Sequence, residues 1–155
     1  MSKGKKGVIV LSMGSIASFH AFPDRVKEDF AKVFRSLPDY HLLLKVAKAH
    51  PRLKLFIMHG GVNGLMEAMI RGVPVVIIPI FGDQFRNGRA AEKRGTGKVI
   101  LKQDLNEQTI RKTVMEILEN ESYKKNALRL SKLMREKPFS AEERLVKWTT
   151  FAIEN

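Results

Sequence analysis

LKLFIMHGGVNGLMEAMIRGVPVVIIPIFGDQFRNGR, residues 53–89, is the stretch whose reading decides the fold. It opens with a short apolar run, 53–58, that stops at His59-Gly60-Gly61, and a helical pattern follows over 62–71. Leu65, Met66, Met69 and Ile70 mark its apolar face, and Gly72 supplies a helix C-cap. The next run, 73–80, is almost continuously apolar, as expected of a parallel strand buried on both faces. Pro74 fits the start of that strand and Pro79 its exit, since neither can donate to a central ladder. Asp83 fits the N-cap of a further helix over 84–93, closed by Gly95 and Gly97, and a brief strand is expected at 98–101. Strand and helix therefore alternate, which predicts βαβ units in a Rossmann-like α/β layer arrangement. In such sheets ligands bind beyond the carboxyl ends of the strands. His59, Gly60, Gly61, Phe81, Asp83 and Gln84 all fall there.

Outward from this centre, residues 7–13, GVIVLSM, read as a buried strand ending at a Gly14-Ser15 turn. Residues 23–37 read as a helix, with Pro23 in the first turn and Val26, Phe30, Val33 and Leu37 at helical spacing. A second short helix is expected at 41–49 on Leu42, Leu43, Val46 and Ala49. That would place two helices in succession with no return to the sheet. From Leu105 onward the pattern is helical, and Ser140 with Glu143 forms a capping-box signature before a last helix containing Leu145, Trp148 and Phe151.

Composition narrows the chemistry. A chain of 155 residues with 44% apolar content fits one domain with a sizeable core. It has no cysteine, so disulfides and thiolate zinc sites are excluded. Histidines at 20, 41, 50 and 59 are scattered, and no metal site is expected. No stretch reaches the roughly 20 apolar residues of a membrane span, and the opening Lys3, Lys5 and Lys6 before a short apolar run lack a signal-peptide pattern. The net charge of +12 is spread without a dense basic block. It favours anionic ligands of any kind, and a nucleic-acid reading would rest on charge alone.

Two glycines directly before a helix allow a ligand to approach the backbone and leave unpaired N–H donors at the positive helix end, which is what an anion requires. His59 adds a ring donor there or is simply a satisfied strand-end histidine. The pattern is neither GxGxxG nor a GKS/GKT loop. Glu67 shares a helix face with Asn63 and is either a surface carboxylate or an acceptor for a ribose diol. Asp83-Gln84 suits sugar hydroxyls, with simple N-capping by Asp83 the competing account.

FIMHGGVNGLMEAMIRGVPVVIIPIFGDQFRN, 56–87, closely resembles the signature region of the UDP-glycosyltransferases, particularly the animal UDP-glucuronosyltransferases. The resemblance extends through VIVLSMGS (8–15), LNEQTIRKTVMEIL (105–118) and YKKNALRLSKLM (123–134). It implies that residues 1–155 are the C-terminal, donor-binding half of a GT-B enzyme that transfers a sugar from a UDP-sugar to a small lipophilic acceptor with inversion. It further implies that His59 and the Gly60-Gly61 amides hold the diphosphate, with Asn63 and Gly64 at the start of the same helix. By the same resemblance Glu67 receives the ribose, Asp83 and Gln84 hold the sugar of UDP-glucuronic acid or UDP-glucose, and Ser15 approaches from the first loop.

The resemblance places the catalytic base and acceptor pocket in an N-terminal domain, so no catalytic residue is expected here. It implies no metal or other cofactor, and an endoplasmic reticulum membrane location for a full-length form. The expected outcome is a donor-binding chain inactive by itself; the alternative is a non-catalytic subunit that associates with a full-length relative. The pattern departs at LPDYHLLLKVAKAHPRLKLF, 37–56. Family members carry a strand there and then a loop with Trp, Pro and Gln whose tryptophan stacks on uracil. Neither is expected in this chain, which predicts an internal deletion and a sheet short of one strand. Trp148 is expected to be a packing residue.

Overall fold

The computed structural model describes residues 4–14, 19, 22–44 and 52–155. Its centre is a five-stranded, wholly parallel sheet of order β2-β1-β3-β4-β5. The strands are β1 (Gly7–Ser12), β2 (Tyr40–Leu44), β3 (Leu53–Met58), β4 (Val75–Ile77) and β5 (Gly97–Val99). The helices are α1 (Asp24–Arg35), α2 (Val62–Arg71), α3 (Gln84–Lys93), α4 (Glu107–Glu119), α5 (Glu121–Arg135) and α6 (Ala141–Glu154), with a 3-10 turn at Lys102–Asp104.

The two-residue period of the strands divides the core into two layers. Ile9, Leu11, Leu55, Ile57 and Val76 face α1 and α4 and meet Phe30, Val33, Ile110 and Val114. Met58, Val75 and Ile77 turn the other way and meet Leu65 and Ala68 of α2 and Ala91 of α3. Both sheet faces are covered, so the central strands are almost wholly apolar.

The expected bounds of α2 and α3 match the structure, and Gly72 takes the left-handed C-cap conformation at φ 62°. Asn106 caps α4 by accepting from Thr109 N at 2.9 Å, and the Ser140/Glu143 capping box is formed in both directions.

The helix expected at 41–49 is corrected by the structure: Tyr40–Leu44 is a strand, paired in register with Gly7–Leu11 of β1. Residues 45–49 lie outside the described residues. A run of four to five apolar residues fits a buried strand or a helix equally by periodicity, and here the sheet edge decides. A strand therefore does follow α1. What is short is the return: β2 and β3 flank β1 on opposite sides, and only the eight residues 45–52 join them. A parallel crossover ordinarily takes about a dozen residues or more.

Trp148 is corrected too. It is 67% exposed and meets Phe151 edge-on at 5.9 Å between centroids, on a helix none of whose residues is buried. No described helix is long and apolar enough to cross a membrane.

Candidate functional site

The parallel register brings strand ends together. Ser12 lies beside Met58, and Met58 beside Ile77, so Gly14, His59 and the 78–81 segment leave the sheet side by side. The His59 ring sits against Gly14 and Gly61. A Cβ on Gly14 would stand 2.6 Å from His59 Cε1, and one on Gly61 would collide with Nε2, so both glycines are needed to seat the ring. Its Nδ1 is buried and has no hydrogen-bond partner among the described residues. Burial holds the imidazole below its ordinary pKa, and the nearby Asp83 carboxylate partly opposes that shift.

Gly60, with φ 94°, makes the turn from β3 into α2; a side chain there would press on Ile77 Cγ2 at 2.8 Å. Gly61 is the N-cap of α2 and offers no side-chain cap, and the first turn carries no acidic residue. Among the described residues no side chain caps the first amides of α2, groups that need acceptors at any helix N-terminus. The other end of the helix is treated differently. Ser131 Oγ and Arg135 Nη2 of α5 donate to Ile70 O at 2.5 and 3.0 Å, and Lys124 Nζ donates to Gly72 O at 2.6 Å. The protein thus satisfies the carbonyl end of α2 itself and leaves the amide end open, where the helix dipole favours an anion.

Asp83 does not cap α3 with its side chain. Its Oδ2 accepts from Asn87 Nδ2 at 2.9 Å, and the same nitrogen reaches Gly60 O at 2.9 Å. Asn87 thereby ties the His59-Gly60 turn to the Asp83-Gln84 segment. Sequence reasoning assigned it no role, although its position four residues after Asp83 puts both on one helix face.

Gln84 is buried at 3% exposure, and its Oε1 accepts from Ile80 N at 2.8 Å and Phe81 N at 3.2 Å. Its amide oxygen is committed to shaping the loop, which leaves the Nε2 donor for other partners.

The structure brings His59, Gly60, Gly61, Asp83 and Gln84 together. Asn63 is exposed on the first turn of α2, while Gly64 faces the sheet, where a Cβ would meet Met58 Cε at 2.9 Å. Glu67 stands one turn further along, half exposed and paired with Arg71 at 3.4 Å. Ser15 lies outside the described residues. Among the described residues no cluster of three or more His, Cys, Asp or Glu could hold a metal ion.

Comparison with known proteins identifies the setting of these groups. The family model described as UDP-glucoronosyl and UDP-glucosyl transferase matches residues 28–154. The Caenorhabditis elegans protein ugt-48 is 40% identical over 184 aligned positions, covering 100% of this chain and 35% of the relative. UDP-glucuronosyltransferase 3A1 of Xenopus laevis is 29% identical, covering 94% of this chain and 32% of its own length. The chain thus spans about a third of the length of the curated relatives it matches. A match of 184 positions to a chain of 155 residues also leaves about 29 positions of ugt-48 without a counterpart.

Among solved structures, spinosyn forosaminyltransferase SpnP superposes with a TM-score of 0.80 at 18% identity, over 97% of this chain and 44% of that one. Os79 from O. sativa, solved in complex with UDP, superposes at 0.75 with 21% identity, over 98% and 41%. These likenesses carry the fold, one half of a GT-B architecture. With the family match over most of its length, the chain belongs to the UDP-glucuronosyl and UDP-glucosyl transferase family.

Proposed function

We propose that residues 1–155 form a UDP-sugar-binding domain, the donor half of an inverting glycosyltransferase that acts on small lipophilic acceptors. The observation that carries this reading is the pairing of an unpartnered, buried His59 Nδ1 with the uncapped amide end of α2. A diphosphate seated there would accept from the Gly61, Val62 and Asn63 amides and from the imidazole. Donors of this kind would neutralise the charge that develops on UDP as a leaving group, the electrostatic part of catalysis.

In this reading Glu67 exchanges its exposed partner Arg71 for the ribose hydroxyls. Asp83 and the Gln84 amide donor take the sugar of UDP-glucuronic acid or UDP-glucose, and Asn87 fixes their distance from the diphosphate turn. Os79 was solved with UDP, which agrees with the ligand class. The acceptor and the general base would come from outside this domain, so the chain alone binds donor without transferring sugar. A full-length form would work at the endoplasmic reticulum membrane.

Calorimetric titration with UDP tests the reading. Saturable binding is expected, weakened about tenfold or more in His59→Ala, since a hydrogen bond to a charged group contributes ~1.5–3 kcal/mol. Absence of UDP binding by the folded protein, or equal affinity in His59→Ala, would overturn it. Glucuronide formed on a phenol by the purified chain would sink the claim that it cannot transfer.

A second reading is an association subunit for a full-length family member. It draws on the uncovered row Leu145, Trp148 and Phe151 along α6.

A further inference from the structure

β2 occupies an edge position with the sequence of an interior strand. Among the described residues it pairs only with β1. Its residues, YHLLL, include no lysine, acid, proline or glycine, the devices by which edge strands discourage further pairing. The strand is only partly covered: Gly4 lies against His41, Leu42 and Leu43 are half-buried, and Leu44 is 63% exposed.

The topology explains how this arises. Doubly wound halves commonly run in the order 3-2-1-4-5-6, and β2-β1-β3-β4-β5 is that order without its outermost strand. The return from β2 to β3 is eight residues long, and about 29 positions of ugt-48 have no counterpart in this chain. An edge that would be interior in the full order is left with its row of backbone donors and acceptors facing outward.

We propose that the outer edge of β2 is an association surface for a second copy of this chain, the two β2 strands pairing antiparallel about a twofold axis at Leu42. One continuous ten-stranded sheet results from the two five-stranded ones. A symmetric pair uses the same patch twice, so the patch must complement itself. β2 does so. Leu42 meets the partner's Leu42, Tyr40 meets the partner's Leu44, and His41 meets the partner's Leu43, with no like charges opposed. Tyr40 and Leu42 already pack at the margin of the α1-side core, and the aromatic–aliphatic pairs continue that layer across the axis. Leu43 extends the layer beneath, beside Val8 and Val10. The charge of +12 on each chain opposes approach, so added salt should tighten the pair.

Light scattering on the purified protein over a concentration series tests this. A reversible monomer–dimer equilibrium is expected, stronger at high salt. Leu44→Lys, which adds an edge lysine at an exposed site, should raise the dissociation constant about tenfold or more while the circular dichroism melt stays unchanged. The chain has no cysteine, so Leu42→Cys introduces a single thiol. Directly opposed residues of an antiparallel pair lie about 4.5–5.5 Å apart at Cα, inside disulfide range, and oxidation should trap a covalent dimer. Leu145→Cys on α6 is the contrast. A protein that stays monomeric throughout overturns the proposal. So does a dimer indifferent to Leu44→Lys and trapped only by Leu145→Cys, which would put the contact on α6, and so does open-ended growth past the dimer. A monomer that binds an extended peptide along β2 but not itself also overturns the choice of partner.

Discussion

On one side of β1, the strands β3, β4 and β5 are joined through α2 and α3, and each helix exits at a left-handed glycine, Gly72 or Gly95. On the other side, β2 returns to β3 through eight residues. The candidate site draws almost wholly on the first side. His59 leaves β3, the open amides belong to α2, and Asp83, Gln84 and Asn87 follow β4; Gly14 is the one described contribution from β1. Complete strand–helix–strand units keep their own turns even when the neighbouring part of the sheet is abbreviated, because each unit fixes its own strand end and helix start.

The contrast can be broken by substitution. Ile57 is fully buried at the centre of the complete side, and Ile57→Ala should cost about 2–5 kcal/mol in urea unfolding, from lost burial and the cavity left behind. A loss under ~1 kcal/mol would mean that the centre of the sheet is loosely packed after all.

A smaller effect is expected from pH. The folded pKa of His59 lies below the ordinary 6.5, so the unfolded chain takes up the proton more readily. The stability that neutral His59 contributes is fully present above 6.5 and is lost as pH falls through the lower folded value. Urea midpoints should therefore decline as pH falls from 6.5 through the folded value, and His59→Gln should flatten the decline. UDP should reverse the shift, with net proton uptake on binding; an unchanged proton count would argue against a phosphate beside the ring. At the far edge, Leu44→Ala should alter stability by no more than about 0.5 kcal/mol in dilute protein, as for exposed sites without special contacts. A larger loss would show that β2 is anchored more firmly than its exposure implies.

What the sequence made legible follows the same division. Gly61 and Gly72 bracket α2, and Gly95 closes α3, because turns and caps demand particular residue types, whereas Asp83 marks the start of α3 without capping it. YHLLL carries no punctuation and its pairing with β1 is a long-range fact, so the pattern at 41–49 reads as a helix where the sheet makes a strand. The apolar spacing on α6 reads as a packed helix with Trp148 inside, yet none of its residues is buried. At the site, the turn glycines and His59 were visible as a motif. The task of Asn87 was not, since its two acceptors, Gly60 O and Asp83 Oδ2, come together only on folding.

The capping box of α6 has a thermodynamic corollary. Ser140 and Glu143 secure the start of a helix that contributes no buried residue to the core. Its amides are therefore protected only by its own helix–coil equilibrium, and short helices in water are marginal. Hydrogen exchange would divide the molecule into a slow sheet and a fast α6, and α6 would add little to the cooperativity of unfolding.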